Sequence, residues 1–499
     1  MSLKHFSSDL IQYLKLKVQL EHKMKNLFIL STIFFLVSCL FYNNPQFSIF
    51  NSQFSIPNPQ FSIFNSQFSI PNPQFSIFNS QFSIPNPQFV IEITYWQYWT
   101  GFEGKAIEKL VDKFNKTHKN IKVKMLTISE PRKKTLLSIV GGTPPDVISS
   151  IAAWVPELAS RGAILPLDDY CKKYTITDKL FIPVFWKMLN LSGHTWALPT
   201  TPTATGLYWN KNLFKEAGLD PNKPPKTLDE LETFSNKLTK RDSKGNLIQI
   251  GFLPSWPPWS FGLYALLFGG SWGDTEAKTI TANNIKNIEA WTWTQNLVKN
   301  LGKENIQLFE CSFGNYQGIN NPFYSSKVGI ETNGVWEGNF IQKFAPNINF
   351  GVAPIPTTVE TPRRGVSTTI VDTDCILIPK GSKHPKEAFE FIAWLLRPEN
   401  LEELCTLQGK FSPLLISDRD NFIKKHPHPY IKVFIDLAKS PNATFFPQAP
   451  FYEMYRRELK RAFEAVIRLD KTPKEALDEV QKRMERELGR YKKYDNLRN

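Results

Sequence analysis

The chain has 499 residues, of which 41 % are hydrophobic and 13 % aromatic, including 13 Trp. This length exceeds one ordinary domain, suits two lobes of α/β type and allows a large buried core. The formal charge of +14 comes in part from basic residues on predicted helices near the C-terminus. The sequence has no recognised nucleic-acid-reading module, so we exclude nucleic acid as a partner.

The N-terminal segment has the pattern of a bacterial export signal. A charged start at Met24-Lys25 precedes an apolar run over 27–37, and this combination is typical of secretory signals. The tetrapeptide Leu-Val-Ser-Cys39 resembles the bacterial lipobox, which implies that Cys39 is acylated and becomes the mature N-terminus. We therefore predict a lipoprotein signal peptide over 24–39, with a plain membrane anchor as the alternative.

A perfect repeat follows this cysteine. The unit NPQFSIFNSQFSIP occupies 44–57, 58–71 and 72–85. Units this short and this rich in Pro are too small for the helical kinds of solenoid. We predict a low-complexity tether over 40–88 that links the lipid to the folded part.

From residue 89 onward, strand and helix patterns alternate. Period-two strand patterns lie at 91–95 and 121–125, a short buried strand lies at 146–149, and helical stripes lie at 107–114 and 136–140. This β-α-β-α-β run predicts a parallel sheet with right-handed crossovers. Since ligands of open α/β sheets lie outside the carboxyl ends of the strands, the loops after the first and third strands should face one crevice.

Several motifs in this order resemble the family 1 extracellular solute-binding proteins of bacterial ABC importers. They are WTGFEG at 99–104, GGTPPDV at 141–147, GAILPLDD at 162–169, WALP at 196–199, GLYWNK at 206–211, FKEAG at 214–218, KGSKHP at 380–385 and AFEFIAW at 388–394. The resemblance covers nearly all of the predicted folded part. It implies a two-lobe, periplasmic binding protein-like type II α/β fold and a solute that is mainly a sugar, with some relatives binding glycerol phosphodiesters or phosphate.

The resemblance also implies a mechanism of capture by closure. We expect lobe I to comprise 89–200 and 366–415, and lobe II to comprise 201–365 and 416–499. Crossovers are expected near 199–205 and 364–369, with a third after Pro413. Ligand that contacts both lobes shifts the population toward the closed form, which an ABC permease in the membrane would recognise. We expect a monomer, lipid-anchored in the periplasm or on the outer face of the membrane.

A sugar pocket needs flat apolar faces for the ring and polar groups for the hydroxyls. Strand-end position and the family resemblance give the candidate ligand-binding residues Trp99, Thr100, Glu103, Trp154, Thr203, Tyr208, Trp256, Trp272, Trp336 and Glu337, with Trp259 and Thr205 beside them. Each Trp has the alternative of a place in the core, and Tyr208 that of packing in the sheet. Asp146, in the GGTPPDV motif, is predicted to be structural.

The sequence also contains one enzyme motif and one histidine pair, and it leaves alternatives to sugar binding open. Residues 269–273 match G-x-S-x-G, but a buried helix rather than a strand is predicted before Ser271, so a secreted serine hydrolase is a distant alternative. His426 and His428 lack further ligands at metal-binding spacing, and we predict no metal, cofactor or catalytic residue. A binder of glycerol phosphate or another anionic solute is the nearer alternative, and a structural surface lipoprotein is a third. The pairing of Cys171, Cys311, Cys375 and Cys405 cannot be deduced from spacing.

Overall fold

The computed structural model describes residues 90–495, except 275, 277, 315, 359–366 and 418, with side chains up to residue 492. The predicted signal peptide, the lipid-bearing Cys39 and the repeat tether all lie outside these residues. Within the described part, no helix is both long enough and apolar enough to cross a bilayer.

The strands are short except for two long ones in the centre of the chain. They are β1 (Ile91–Gln97), β2 (Ile121–Thr127), β3 (Val147–Ile151), β4 (Asn190–Leu191), β5 (His194–Thr195), β6 (Leu198–Asn210), β7 (Lys240–Arg241), β8 (Leu247–Phe252), β9 (Val328–Gly334), β10 (Phe350–Ala353), β11 (Thr368–Leu377) and β12 (Asn442–Thr444).

Helices separate most of these strands, as the alternating pattern predicts. They are α1 (Gly101–Thr117), α2 (Pro131–Val140), α3 (Val155–Ser160), α4 (Asp168–Lys173), α5 (Pro183–Leu189), α6 (Lys211–Glu216), α7 (Leu228–Leu238), α8 (Phe261–Leu267), α9 (Ile285–Leu301), α10 (Lys303–Glu310), α11 (Glu337–Phe344), α12 (Pro385–Leu395), α13 (Pro398–Leu407), α14 (Asp420–Lys425), α15 (Ile431–Lys439), α16 (Tyr452–Ile467) and α17 (Pro473–Asp495).

The main sheet has the order β2-β1-β3-β11-β6-β9-β8-β7, with β10 also paired to β6 and β12 to β11. The long strand β6 joins its two halves. Residues 198–204 of β6 pair antiparallel with β11, whereas 205–209 pair with β9 and 207–210 with β10. The chain therefore passes from one half of the sheet to the other along β6, where the first crossover was predicted at 199–205.

The first predicted elements form as expected. Strand β1 pairs in parallel with β2 along its whole length, from Ile91 opposite Ile121 to Gln97 opposite Thr127. The apolar stripe of α1 is buried in one core cluster together with α12 and α13. These contacts explain why the period-two and helical patterns of this region are strong, since each apolar side chain points to the same core.

The helix α2 is an exception, because two of the three predicted apolar residues of its stripe, Leu137 and Val140, face solvent. Leu137 is 61 % exposed and Val140 is 87 % exposed, whereas Thr135 is buried and Leu136 and Ile139 pack against a core cluster. Helix α2 follows β2, which is the edge strand of the sheet, so there is less sheet for α2 to cover. The helix is correctly predicted, and its buried face is not.

The helix caps formed by Thr227 and Thr472 are present in the structure. The Thr227 hydroxyl caps α7 by accepting from the Glu230 N–H at 3.1 Å, and Thr472 and Glu475 form a reciprocal capping box at α17. Strand β9 ends at Gly334 and α11 begins at Glu337, which leaves Trp336 at a strand-to-helix junction.

The cysteines of the described part are all free thiols. Cys171, Cys375 and Cys405 are buried and Cys311 is exposed. Burial raises the pKa of Cys171 to about 12, which keeps that thiol protonated and unreactive at neutral pH.

Candidate functional site

A cavity of about 420 Å³ lies where β6, β11, α1, α8, α11 and α16 meet. Its size falls within the range of about 300–1,000 Å³ that is typical of small-molecule sites. Aromatic side chains dominate its wall, with a few charged and amide groups between them. The lining residues are Trp99, Glu103, Ala153, Thr203, Thr205, Trp259, Phe261, Gly262, Tyr316, Gln317, Trp336, Phe340, Ile370, Val371, Asp372, Lys410, Phe445, Phe446, Gln448, Tyr452 and Arg456.

Three aromatic side chains form a connected wall. The ring centroids of Trp259 and Tyr316 are 4.5 Å apart in an edge-on arrangement, and those of Trp259 and Trp336 are 6.2 Å apart. The Trp336 Nε1 donates to the Tyr316 Oη at 2.8 Å. All three side chains are only half-buried, so part of each ring remains available to a ligand.

The position of Trp336 depends on Gly334. A Cβ atom on Gly334 would lie only 2.2 Å from the indole of Trp336. The absence of a side chain at residue 334 therefore lets the indole fold back over the end of β9. This contact gives a structural reason for the Asn-Gly-Val-Trp sequence at 333–336.

A buried charge cluster supports the opposite wall. The Lys410 ammonium lies 3.1 Å from Glu103 Oε1 and 3.0 Å from Asp374 Oδ2. It also lies 4.4 Å from the ring centroid of Trp99. Burial alone would lower the pKa of Lys410, but the attraction of Asp374 and Glu103 outweighs burial and raises that pKa above its usual range.

The carboxylates of this cluster have further donors. Asp374 accepts from the Tyr98 hydroxyl at 2.8 Å and from the Thr201 hydroxyl at 2.7 Å. Burial raises the pKa of Glu103, and the nearby Lys410 opposes that shift. The cluster thus fixes the loop between β1 and α1, which carries Trp99, against β11.

Asp372 and Arg456 bring charge directly to the cavity. Asp372 is half-buried on β11 and accepts from the Thr373 N–H at 2.8 Å. Burial raises its pKa to about 7, and the neighbouring Asp374 adds to the shift. Arg456 is exposed on α16 and lines the same cavity, one helical turn beyond Tyr452.

Two buried carboxyl groups lie behind the aromatic wall. Glu337 accepts from the Tyr316 hydroxyl at 2.6 Å, and Glu331 accepts from the Trp256 indole at 3.0 Å and from the Asn333 amide at 3.0 Å. Burial raises the pKa of Glu337 to about 7, and burial together with the Glu337 charge raises the pKa of Glu331. Neither group forms a salt bridge within the described part of the chain.

Several sequence-predicted site residues meet at this cavity. Trp99, Glu103, Thr203 and Trp336 line it, as do the accompanying candidates Trp259 and Thr205. They come from the loop after β1, from the first turn of α1, from β6, from the loop before α8 and from the junction between β9 and α11. The strand-end argument and the family resemblance therefore locate parts of one cavity that are far apart in the sequence.

Three other candidates lie outside the cavity. Thr100 is exposed at the start of α1. The Trp154 indole donates to Glu453 Oε1 at 2.7 Å and does not line the cavity. Tyr208 is fully buried, and its hydroxyl donates to the Gly334 carbonyl at 2.9 Å; it packs in the sheet instead of lining the cavity.

Trp256, Trp272 and Glu337 are also displaced from the predicted role. Trp256 is turned toward Glu331, and Glu337 lies behind Tyr316. Trp272 is 2 % exposed, and its indole donates to the Gly262 carbonyl at 2.8 Å in the core. A ligand in the cavity cannot reach Trp272, so the assignment of this residue to the site is corrected.

Sequence reasoning missed most of the charged lining. The additional residues are Tyr316, Asp372, Lys410, Gln448, Tyr452 and Arg456. One signal was available: Asp372 and Asp374 are the two charged residues of the largely buried strand β11 and stand two apart, so they share a face of it. The remaining residues lie in segments without a local pattern that distinguishes a cavity wall from a surface.

Asp146 and Ser271, from two further sequence motifs, both make hydrogen bonds within the fold. Asp146 accepts from the Thr94 N–H at 2.9 Å and from the Ser382 hydroxyl at 2.8 Å, which joins β1 to the turn before α12. Ser271 follows the helix α8 rather than a strand, and its hydroxyl pairs with that of Thr281 at 3.0 Å. The strand-turn-helix context of a nucleophile elbow is therefore not present around Ser271.

The histidine pair is also part of the core. The His426 Nε2 lies 3.1 Å from the Lys410 carbonyl, and the His428 N–H donates to the His426 Nδ1. Among the residues described, no group of three or more His, Cys, Asp or Glu is arranged to hold a metal ion.

The chain is similar in sequence to curated binding proteins. A curated relative, the sn-glycerol-3-phosphate-binding periplasmic protein UgpB of Pectobacterium atrosepticum, is 24 % identical over 80 % of this chain and 92 % of its own. The maltotriose-binding protein of Pyrococcus abyssi is 24 % identical over 59 % of this chain and 60 % of its own.

Solved structures of sugar-bound proteins are also similar to this chain. CpMnBP1 with mannotriose bound is 31 % identical, with a TM-score of 0.70 over 78 % of this chain and 99 % of that chain. CpMnBP1 with mannobiose bound is 30 % identical, with a TM-score of 0.69 over 78 % of this chain and 98 % of that chain. The family of bacterial extracellular solute-binding proteins matches residues 101–402, which is more than half of the chain. The chain therefore belongs to this family, which confirms the resemblance of its motifs and the two-lobe α/β fold.

Proposed function

We propose that the protein is the solute-binding component of an ABC import system and that it captures a short oligosaccharide by closure of its two lobes. The observation that carries the proposal is the composition of the cavity wall. Half-buried faces of Trp99, Trp259 and Trp336 offer stacking surfaces for the C–H side of sugar rings. Carboxylate and amide groups between them offer partners for hydroxyls.

The relatives support the same solute class. CpMnBP1, at 30–31 % identity over almost its full length, has mannobiose or mannotriose bound. The Pyrococcus abyssi relative is a maltotriose-binding protein. Capture of glycerol phosphate remains the second candidate, because UgpB is a relative over 92 % of its own length and because Arg456 lines the cavity.

The lobes are proposed as the sequence divides them, 89–200 with 366–415 and 201–365 with 416–499. The path of β6 from one half of the sheet to the other supports the first crossover. Of the second crossover, which was predicted at 364–369, residues 364–366 lie outside the residues described. In this arrangement Trp99 belongs to one lobe and Trp336 to the other, so a ligand that stacks on both favours the closed form.

The N-terminus is proposed to place this binding protein at the membrane. The lipobox ending at Cys39 and the tether over 40–88 support a lipid anchor on the outer face of the membrane. We propose that the protein acts there as a monomer and meets an ABC permease. Members of the family are binding proteins, and we propose no covalent step on the solute.

Calorimetric titration of the purified folded part with mannobiose, mannotriose, maltotriose and glycerol 3-phosphate tests the solute class. Saturable binding of at least one of the three sugars supports the proposal. Binding of glycerol 3-phosphate with no heat from any sugar would replace it by the second candidate.

A further inference from the structure

The cavity wall carries two acidic and two basic side chains, and Asp374 lies directly behind it as a third acidic group. The ammonium of Lys410 is matched by two carboxylates, Glu103 at 3.1 Å and Asp374 at 3.0 Å. All three side chains are nearly buried. A cation with two such partners has little attraction left for a third anion, so Lys410 is not available to hold a phosphate or a carboxylate of a ligand.

Asp372 adds a further carboxylate to the same wall. Its side chain is half-buried on β11 and lines the cavity, where the backbone N–H of Thr373 donates to it. Arg456 approaches from α16 but is exposed to solvent, which weakens its effect through screening. With Glu103, Asp372 and Asp374 against Lys410 and Arg456, the site is one unit negative when all five groups are ionised.

One neutral polar side chain of the wall contains a buried acceptor atom. Gln448 is 4 % exposed, and its Nε2 donates to the Phe446 carbonyl at 2.8 Å. This bond orients the amide and leaves Oε1 without a partner among the described residues. A hydroxyl donates to an amide or carboxylate oxygen, whereas an ionised phosphate oxygen only accepts.

We propose that Asp372 is the specificity-determining residue that makes this cavity select neutral, hydroxyl-rich ligands over anionic ones. The proposal rests on the proposed function and deepens it. A ligand hydroxyl gains a charge-assisted hydrogen bond to the Asp372 carboxylate, while a phosphate in the same place meets a like charge in a half-buried site.

The test compares Asp372→Asn with wild type at pH 8.5, where the Asp372 carboxyl is ionised. The variant keeps the shape of the side chain and removes its charge. Calorimetry measures Kd for mannotriose and for glycerol 3-phosphate. We expect Asp372→Asn to weaken mannotriose binding by about tenfold, as for loss of a charged hydrogen-bond partner. The preference for mannotriose over glycerol 3-phosphate should fall by more than about tenfold.

A matched control removes the same charge far from the cavity wall. Asp112 is exposed on α1 and does not line the cavity, so Asp112→Asn should leave both affinities within about twofold of wild type, because solvent screens exposed charges. An equal loss of preference in Asp112→Asn would assign the effect to net charge and overturn the role of Asp372.

Wild-type protein provides a second measurement that needs no variant to fold. Because Asp372 gains a proton between pH 8.5 and 5.5, the preference for mannotriose should decrease over this range in wild type. In Asp372→Asn, only the titration of the phosphate and of the other groups around the cavity should remain. These groups are Tyr98, Glu103, Asp374, Cys375, Lys410, Tyr452 and Arg456.

The outcomes separate this proposal from the proposed function. Wild type that binds none of the sugars refutes the function. Wild type that binds mannotriose, together with a variant that keeps the same preference and the same pH profile, leaves the function intact and overturns the role of Asp372.

Discussion

Replacement of Trp336 by Ala removes an indole from the cavity wall, whereas replacement of Trp394 removes one from a buried hydrophobic core. Trp336 is half-buried and lines the cavity. A Trp buries roughly 200 Å² when covered, so a ligand that covers half of it removes about 100 Å² from water. At about 25 cal/mol per Å², this burial is worth about 2.5 kcal/mol, or roughly 60-fold in Kd.

Trp394 provides the comparison. It is 6 % exposed and packs edge-on against Phe114, with ring centroids 5.3 Å apart. Truncation of Trp394 to Ala should cost about 3–5 kcal/mol of unfolding free energy and leave the affinity per folded molecule unchanged. Trp336→Ala should show the reverse, because its ring already contacts water when no ligand is bound.

Two measurements on each variant separate these roles, namely the melting temperature without ligand and the Kd for the best sugar of the panel. Trp336→Phe serves as an internal control, since it keeps an aromatic face and should lose less affinity than Trp336→Ala. Trp99→Ala should behave like Trp336→Ala. A large fall in melting temperature with unchanged Kd for Trp336→Ala would place Trp336 in the core and refute the stacking argument.

The remaining predictions concern single groups. Ser271→Ala should leave sugar binding unchanged, and a serine-reactive probe should not label wild type at that residue; labelling that the variant abolishes would favour an enzyme. Cys39→Ser should release the full chain from the membrane fraction with the same Kd, and a variant that stays bound after carbonate washing contradicts lipid anchoring. Burial raises the pKa of Glu337 from 4.5 to about 7, so the native state holds more protons than the unfolded state in that range. Stability should then fall as pH rises through it, and Glu337→Gln should reduce the slope of melting temperature against pH. Trp154→Phe removes the N–H that donates to Glu453 at 2.7 Å between the two proposed lobes, outside the cavity. It should weaken sugar binding by about tenfold because the bond joins the two proposed lobes, and an unchanged Kd would show that this bond does not stabilise the ligand-bound protein.

The elements that could be predicted from the sequence are those whose pattern is local. Residues 91–95 alternate because successive side chains of β1 face opposite sides, and the stripe of α1 recurs at helical spacing because one face meets the core. The wrong prediction of the buried face of α2 also has a physical cause. An apolar stripe predicts a helix, but the edge position of β2 decides how much of that stripe is covered.

Tryptophan positions illustrate what a single sequence cannot give. Trp272 and Trp336 both follow a glycine by two residues, so their local sequences look alike. Trp272 packs against Trp291 and Phe446 in the core, while Trp336 contacts Tyr316 at the cavity. The aromatic side chains that surround each indole lie at least ten residues away in the sequence, and no periodicity predicts them.

The charged part of the site is assembled from still more distant segments, and this explains the different roles of its members. Lys410 joins Glu103 of α1 to Asp374 of β11, and its backbone carbonyl faces His426. Removal of this ammonium would leave two nearly buried carboxylates unpaired, which destabilises the fold before it alters the ligand. Asp372 differs, because its neutralisation relieves repulsion from Asp374 and breaks no ion pair in the described part of the chain. The charge that the ligand meets can therefore change at residue 372 while the frame held by Lys410 stays intact.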